Sequence, residues 1–259
     1  MAGALALLAP EAASPQSGAT EPAPTAPAPP ARHASVPFAV GERLLYEVKF
    51  GALKVGRGSM EVLDTVTIRG RPAFHTRFRV RGGIPFYRVD DVLESWIDRV
   101  AITSLRFVQD FDEGARTRER RYEIFPERAV FQESDREEEA SVPDPLDDAS
   151  FLYFIRTIPL EVGKSYEFHR YFRPDRNPVV VRVLGRETVR VPAGTFTTLV
   201  LQPVIKSKGI FSESGQARIW LSDDAHRIMV QMKSRTRIGS LNLYLQSHRL
   251  APPAPTESR

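Results

Sequence analysis

The feature that most constrains this chain is a two-residue period. In LLYEVKF, Leu44, Tyr46, Val48 and Phe50 share one face. In FHTRFRVR, Phe74, Thr76, Phe78 and Val80 alternate with His75, Arg77, Arg79 and Arg81. RIMVQMK runs through Ile228, Val230 and Met232, and SLNLYLQ through Leu241, Leu243 and Leu245. Such alternation places apolar side chains on one side of a strand and polar ones on the other. Turn signals separate the runs at Arg69-Gly70-Arg71-Pro72, Arg81-Gly82-Gly83, Asp112-Glu113-Gly114, Pro174-Asp175-Arg176-Asn177-Pro178 and Ile238-Gly239. About a dozen strands follow, joined mostly by short loops, which make antiparallel neighbours. One face packs on a core and the other is wet. The expected class is therefore mainly β, an antiparallel curved sheet or incomplete barrel.

One segment breaks the period. In DDASFLYFIRTIPLEVG, Asp147 or Asp148 can cap a helix. Phe151, Phe154, Ile155 and Ile158 follow at helical spacing, and Pro159 marks the stop. This predicts one short apolar helix over 148–158. A helix so apolar must lie against the sheet or plug the mouth of a barrel.

Two halves of the chain can be laid side by side. GERLLYEVKF (41–50) matches GKSYEFHRYF (163–172), RPAFHT (71–76) matches VPAGTFTT (191–198), and Val62-Leu63 matches Val183-Leu184. SWID (95–98) matches IWLS (219–222), which pairs Trp96 with Trp220. The order is kept, as in an internal duplication of one β-meander, with repeats at 41–135 and 163–248 and the helix between. Convergent reuse of Gly, Pro and aromatics in hairpins gives similar matches. In either case VPAGTF reads as a turn between strands, with Pro192 presetting φ and Gly194 permitting a positive φ.

The ends differ in character. MAGALALLAP and the Ala/Pro-rich stretch after it read as a residual leader plus a disordered linker over 1–35. Residues 250–259 read as a disordered tail, leaving a single β-domain at 36–249. No apolar run is long enough for a transmembrane helix. Cysteine is absent, which excludes a disulfide framework, a thiol nucleophile and a lipobox. The net charge is +4, and only six of the 36 basic residues are Lys. The stretch RTRERRYEIFPER (116–128) is basic with interleaved aromatics, yet it alternates as a strand. A solvated strand face accounts for it, so no nucleic-acid partner is expected.

The segments FAVGERLLYEVKFGALKVGRG, PFYRVDDVLESWID, DDASFLYFIRTIPLEVG, VPAGTF and ARIWLSDDAHRIMVQM follow one another across about 36–249. In these the chain resembles the bacterial domain-of-unknown-function family 3108. The resemblance implies a β-rich exported or envelope-associated protein, in the periplasm or cell envelope, and carries over no catalytic residues. A looser similarity is to periplasmic lipoprotein carriers, which wrap an incomplete antiparallel barrel around an apolar cavity closed by helices.

No catalytic motif emerges. The five His form no metal-ligand spacing, and GxSxG, P-loop and GxGxxG patterns are absent. Asp90, Glu94 and Asp98 would share a strand face. A hard cation could use them, but pairing with neighbouring Arg explains the pattern more simply. The expectation is a non-enzymatic protein without cofactor or metal. Its cavity or lid residues would be Phe151, Phe154, Ile155, Ile158, Trp96 and Trp220, and its ligand a lipid or other amphiphile. The alternative is a structural or adaptor domain with a filled core, acting through contacts with another envelope protein.

Overall fold

The computed structural model describes residues 36–84, 87–114, 116–204, 217–236 and 239–250. The expected leader and linker (1–35) and residues 251–259 lie outside them. Eight strands come first: β1 (Arg43–Phe50), β2 (Leu53–Ile68), β3 (Arg71–Ile84), β4 (Tyr87–Asp98), β5 (Ser104–Glu113), β6 (Arg116–Phe125), β7 (Val130–Glu133) and β8 (Glu138–Ala140). A helix, α1 (Asp148–Phe154), follows. Six more strands complete the fold: β9 (Ser165–Phe168), β10 (Val179–Val191), β11 (Gly194–Val204), β12 (Arg218–Ser222), β13 (Met229–Thr236) and β14 (Gly239–Arg249). All belong to one antiparallel sheet, in the order β8-β7-β6-β5-β4-β3-β2-β1-β14-β13-β12-β11-β10-β9. Each meander is laid down in chain order, and β1 joins the two by pairing with β14.

The sheet curves without closing into a barrel. Its edge strands are β8 and β9. Near that seam the chain after β8 runs beside the chain after β9, where Leu146 and Tyr171 form a parallel bridge. The amide of Phe172 donates to the Leu146 carbonyl at 2.9 Å, and Ser141 Oγ donates to the Phe172 carbonyl at 2.7 Å. This crossing delivers α1 to the concave side of the sheet, where it packs on β3 and β4.

The two meanders share local devices. Gly41 and Gly163 both take positive φ, at 90° and 83°. The amide of each donates to the carbonyl of Val62 or Val183, and that valine's own amide donates back to Glu42 or Lys164. Bulges follow Val62 in the β2–β3 pairing and Val183 in the β10–β11 pairing. Further register shifts come immediately after Trp96 and Trp220. These are the correspondences expected of a duplicated meander, but two of the matches shift. The ladder aligns Leu44, not Tyr46, with Tyr166, since these residues face Met60 and Val181 in the β2 and β10 partners. The Pro192-Ala193 turn corresponds to the Arg69-Gly70 turn, not to Pro72. The β10–β11 hairpin is longer beyond its bulge, which sequence matching absorbed as a drifting offset.

VPAGTF is a hairpin turn, with Val191 facing Gly194 and Gly194 at φ 135°. Two other expectations change. Gly82 and Gly83 lie inside β3, not in a turn. The helix ends at Phe154, with Ile155 as its C-cap, rather than at 158. It stops because the last turn tightens: the amides of Arg156 and Thr157 donate to the Tyr153 and Phe154 carbonyls, satisfying them without further α-turns.

Candidate functional site

The helix is fixed at both ends by buried polar groups. Its N-cap, Asp147, is fully buried. One carboxylate oxygen accepts the amides of Ala149 and Ser150, each at 2.8 Å. The other accepts the hydroxyls of Ser95, on β4 at 2.6 Å, and Ser104, on β5. Burial pushes the Asp147 carboxyl up to about 6, against the opposing pull of the Ser104, Ser95 and Ser150 hydrogen bonds. The neighbouring Asp148, also raised by burial, accepts from Tyr171 Oη at 3.1 Å.

Beyond the C-cap, Arg156 turns inward, its side chain wholly excluded from solvent. It makes a two-pronged pair with Glu42, Nη1 to Oε1 at 2.7 Å and Nη2 to Oε2 at 2.8 Å. Nη2 also donates to the carbonyls of Pro37 (3.1 Å) and His226 (3.0 Å). Its guanidinium lies over the rings of Phe38 and Tyr153. Burial opposes the charge, but the Glu42 carboxylate outweighs it and holds Arg156 above its ordinary value. One side chain thus ties together the segment before β1, the end of α1 and the β12–β13 turn.

The expected site residues divide into two groups. Phe151, Phe154, Ile155 and Ile158 meet in one continuous core cluster with both meanders, each no more than 7% exposed. Phe154 packs edge-on to Phe168 at 5.1 Å, and Tyr153 on Phe38 at 4.9 Å. Trp96 and Trp220 point away from this cluster. Trp96 stacks on His75 at 4.4 Å beside a small satellite cluster of Ile68, Ala73 and Leu105. Trp220 donates from Nε1 to Glu187 at 2.8 Å, with Lys233 over its ring. Their strand neighbours Ile97, Ile219 and Leu221 enter the core cluster instead.

The acids once considered for a cation are each taken by arginine. Asp90 pairs with Arg79, Glu94 with Arg77 and Asp98 with Arg71. The first two of these arginines belong to a feature not anticipated from the sequence, a groove of about 380 Å³ on the convex face of β1, β2 and β3. Arg43, Arg57, Arg77, Arg79 and Arg81 line it, with Leu45, Ser59 and Glu61. The alternation of Arg77, Arg79 and Arg81 with core residues was visible. Their convergence with Arg43 and Arg57 depends on long-range register, which no local signal encodes.

A curved, unclosed antiparallel sheet holding one buried helix defines a β-barrel-like class. Within that class the chain belongs to the family described as a protein of unknown function (DUF3108), whose match spans residues 45–246. No curated protein sequence matches it significantly. Among solved structures it is similar to a β-barrel-like protein of the domain of unknown function DUF1849 from Brucella abortus, at 12% identity and a TM-score of 0.55. That match covers 83% of this chain and 99% of the other, and it concerns the fold alone. A weaker likeness is to a provisionally assigned lipoprotein from Parabacteroides distasonis, at 10% identity and a TM-score of 0.38, covering 84% and 100% of the two chains. No helix among the described residues is long and apolar enough to cross a membrane.

Proposed function

We propose that this chain is a non-enzymatic, exported envelope protein that binds through the outer face of a rigid sheet rather than by enclosing a lipid. The observation that carries this reading is the anchoring of α1. A lid must open at low free-energy cost. Opening α1 would uncover Phe151, Leu152, Tyr153, Phe154 and Ile155, all buried. At roughly 2 kcal/mol for each such side chain, the cost is about 10 kcal/mol, comparable to the whole stability of a typical domain. Breaking the Glu42–Arg156 pair and the Asp147 cap adds to it. The helix is core, and the adaptor reading is favoured over the carrier.

Native mass spectrometry of the protein purified from its own envelope tests this. After a high-salt wash, which strips lipid held only by surface charge, the expected spectrum carries no stoichiometric lipid, and a fluorescent fatty acid shows no saturable binding. A one-to-one lipid adduct that survives the wash would overturn the proposal.

A further inference from the structure

The convex groove holds more positive charge than its own carboxylates neutralise. Its five guanidiniums face Glu61, Asp90 and Glu94, and Asp110 also acts on Arg79. Asp90 is engaged on both oxygens by Arg79, at 2.7 and 2.8 Å. Arg81 reaches the same carboxylate only at 3.4 Å and is 60% exposed. Directly across the β2–β3 ladder from Arg81 stands Arg57. On its other side Arg57 faces Glu47 of β1, but Glu47 is taken by Lys54 (2.6 Å) and Lys49 (3.1 Å). Arg57 therefore has no carboxylate partner among the described residues. Like charges directly opposite in an antiparallel pair destabilise it.

Counted from the shared bulges, the second meander carries Val180, Gln202 and Val204 where the first carries Ser59, Arg77 and Arg79, so its hairpin pairs these rungs without arginine there. Beside the groove two glycines bring the β2 and β3 backbones close. Gly56 and Gly82 are register partners, and a Cβ on either would lie 2.2 Å from a carbonyl oxygen of the facing strand. This tight approach is one rung from the Arg57–Arg81 pair.

We infer that the groove binds a phosphate-bearing ligand, seated between Arg57 and Arg81 with Arg43 and Ser59 at its flank. Guanidiniums match phosphoryl oxygens in bidentate geometry. The unpartnered Arg57 and the weakly held Arg81 call for an anion that can engage two guanidiniums at once, which a phosphomonoester or pyrophosphate does better than a single carboxylate. From Arg77 to Arg81 the groove runs about 13 Å, and three strands span about 10 Å, room for two phosphoryl groups. The inference rests on the outer-face reading above and names the ligand chemistry of that face.

Inorganic pyrophosphate titrated into the full chain at low salt, followed by calorimetry and by melting temperature, is the test. Saturable binding and a ligand-dependent rise in Tm are expected. Arg57→Gln/Arg81→Gln should weaken binding about 10-fold or more. Its unliganded Tm should be unchanged or higher, because a repulsion is removed. Arg121→Gln, at an exposed arginine of β6, should bind as the parent does. Vesicles of phosphatidylglycerol, with phosphatidylcholine as reference, form the second arm. Vesicle binding displaced by pyrophosphate and lost in the double variant assigns the phosphate to a lipid headgroup. Pyrophosphate binding without vesicle binding assigns it to a soluble ligand. No binding in either arm, or equal binding by the double variant, overturns the inference. Both outcomes are separate from the interior-lipid measurement, so failure of the groove and failure of the outer-face reading are told apart.

Discussion

The buried Glu42–Arg156 pair allows a prediction whose sign is unusual. Replacing Arg156 by Met keeps much of the volume but strands the Glu42 carboxylate, 2% exposed, without its partner. Removing one member of a buried pair typically costs 3–5 kcal/mol, about. The carbonyls of Pro37 and His226 also lose their donor, at about 1 kcal/mol each. The single variant should therefore lose roughly 5 kcal/mol. In Glu42→Met/Arg156→Met the stranded charge is gone, and only the carbonyl loss and some repacking remain, about 2 kcal/mol. The second substitution should thus restore about 3 kcal/mol. Urea unfolding followed by the fluorescence of Trp96 and Trp220 measures this. With a slope near 2 kcal/mol/M, the double variant should melt more than about 1 M above the single. If the double variant is less stable than Arg156→Met, or if Arg156→Met costs under about 1 kcal/mol, the pair is not the anchor described here.

Other consequences are as direct. Phe154→Ala should cost about 3–5 kcal/mol, the full core penalty, read as a fall in the urea midpoint. Asp147 has a folded value of about 6, above the ordinary 3.8. A raised carboxylate binds its proton more tightly when folded, so its contribution is fully present below the unfolded value and is lost as pH rises through 6. The stability of the parent relative to Asp147→Asn should therefore fall by about 2 kcal/mol between pH 4 and pH 7 in paired unfolding curves. Gly56→Ala forces a Cβ to 2.2 Å from the Arg81 carbonyl and should destabilise by about 1–3 kcal/mol. Gly185→Ala meets nothing within 4 Å and should change the midpoint by less than about 0.5 kcal/mol.

What was legible in the sequence was what local period encodes. Leu44, Tyr46 and Val48 announced β1, and Leu243 and Leu245 announced β14, because a strand with one buried face writes that face into alternate positions. The helix was announced by the one change of period, and its end was misplaced because its stop is a tightened turn rather than Pro159. The repeat was visible in composition but not in register. Tyr46 and Tyr166 look alike, yet counting from the Gly41 and Gly163 turns makes Leu44 the equivalent of Tyr166. An aromatic match carries no information about which rung of a ladder it occupies.

The polar anchors were illegible for a different reason. Arg156 sits in the run FIRTI, where an arginine ordinarily marks the solvent side of a helix. Here its partner is Glu42, 114 positions earlier, and its other acceptors are carbonyls at Pro37 and His226. A charge becomes tolerable in a core only when several distant groups converge on it, and that convergence is a property of the closed fold. The groove obeys the same logic in reverse. Arg77, Arg79 and Arg81 read as the wet face of a strand, and each alone is ordinary. Only the β1–β2–β3 register sets Arg57 beside Arg81 and gives Glu47 to lysines instead. A buried arginine that has found its carboxylate stabilises the scaffold. Two exposed arginines left facing each other, one without a carboxylate partner among the described residues and one sharing Asp90 at 3.4 Å, are where a ligand's charge has most to gain.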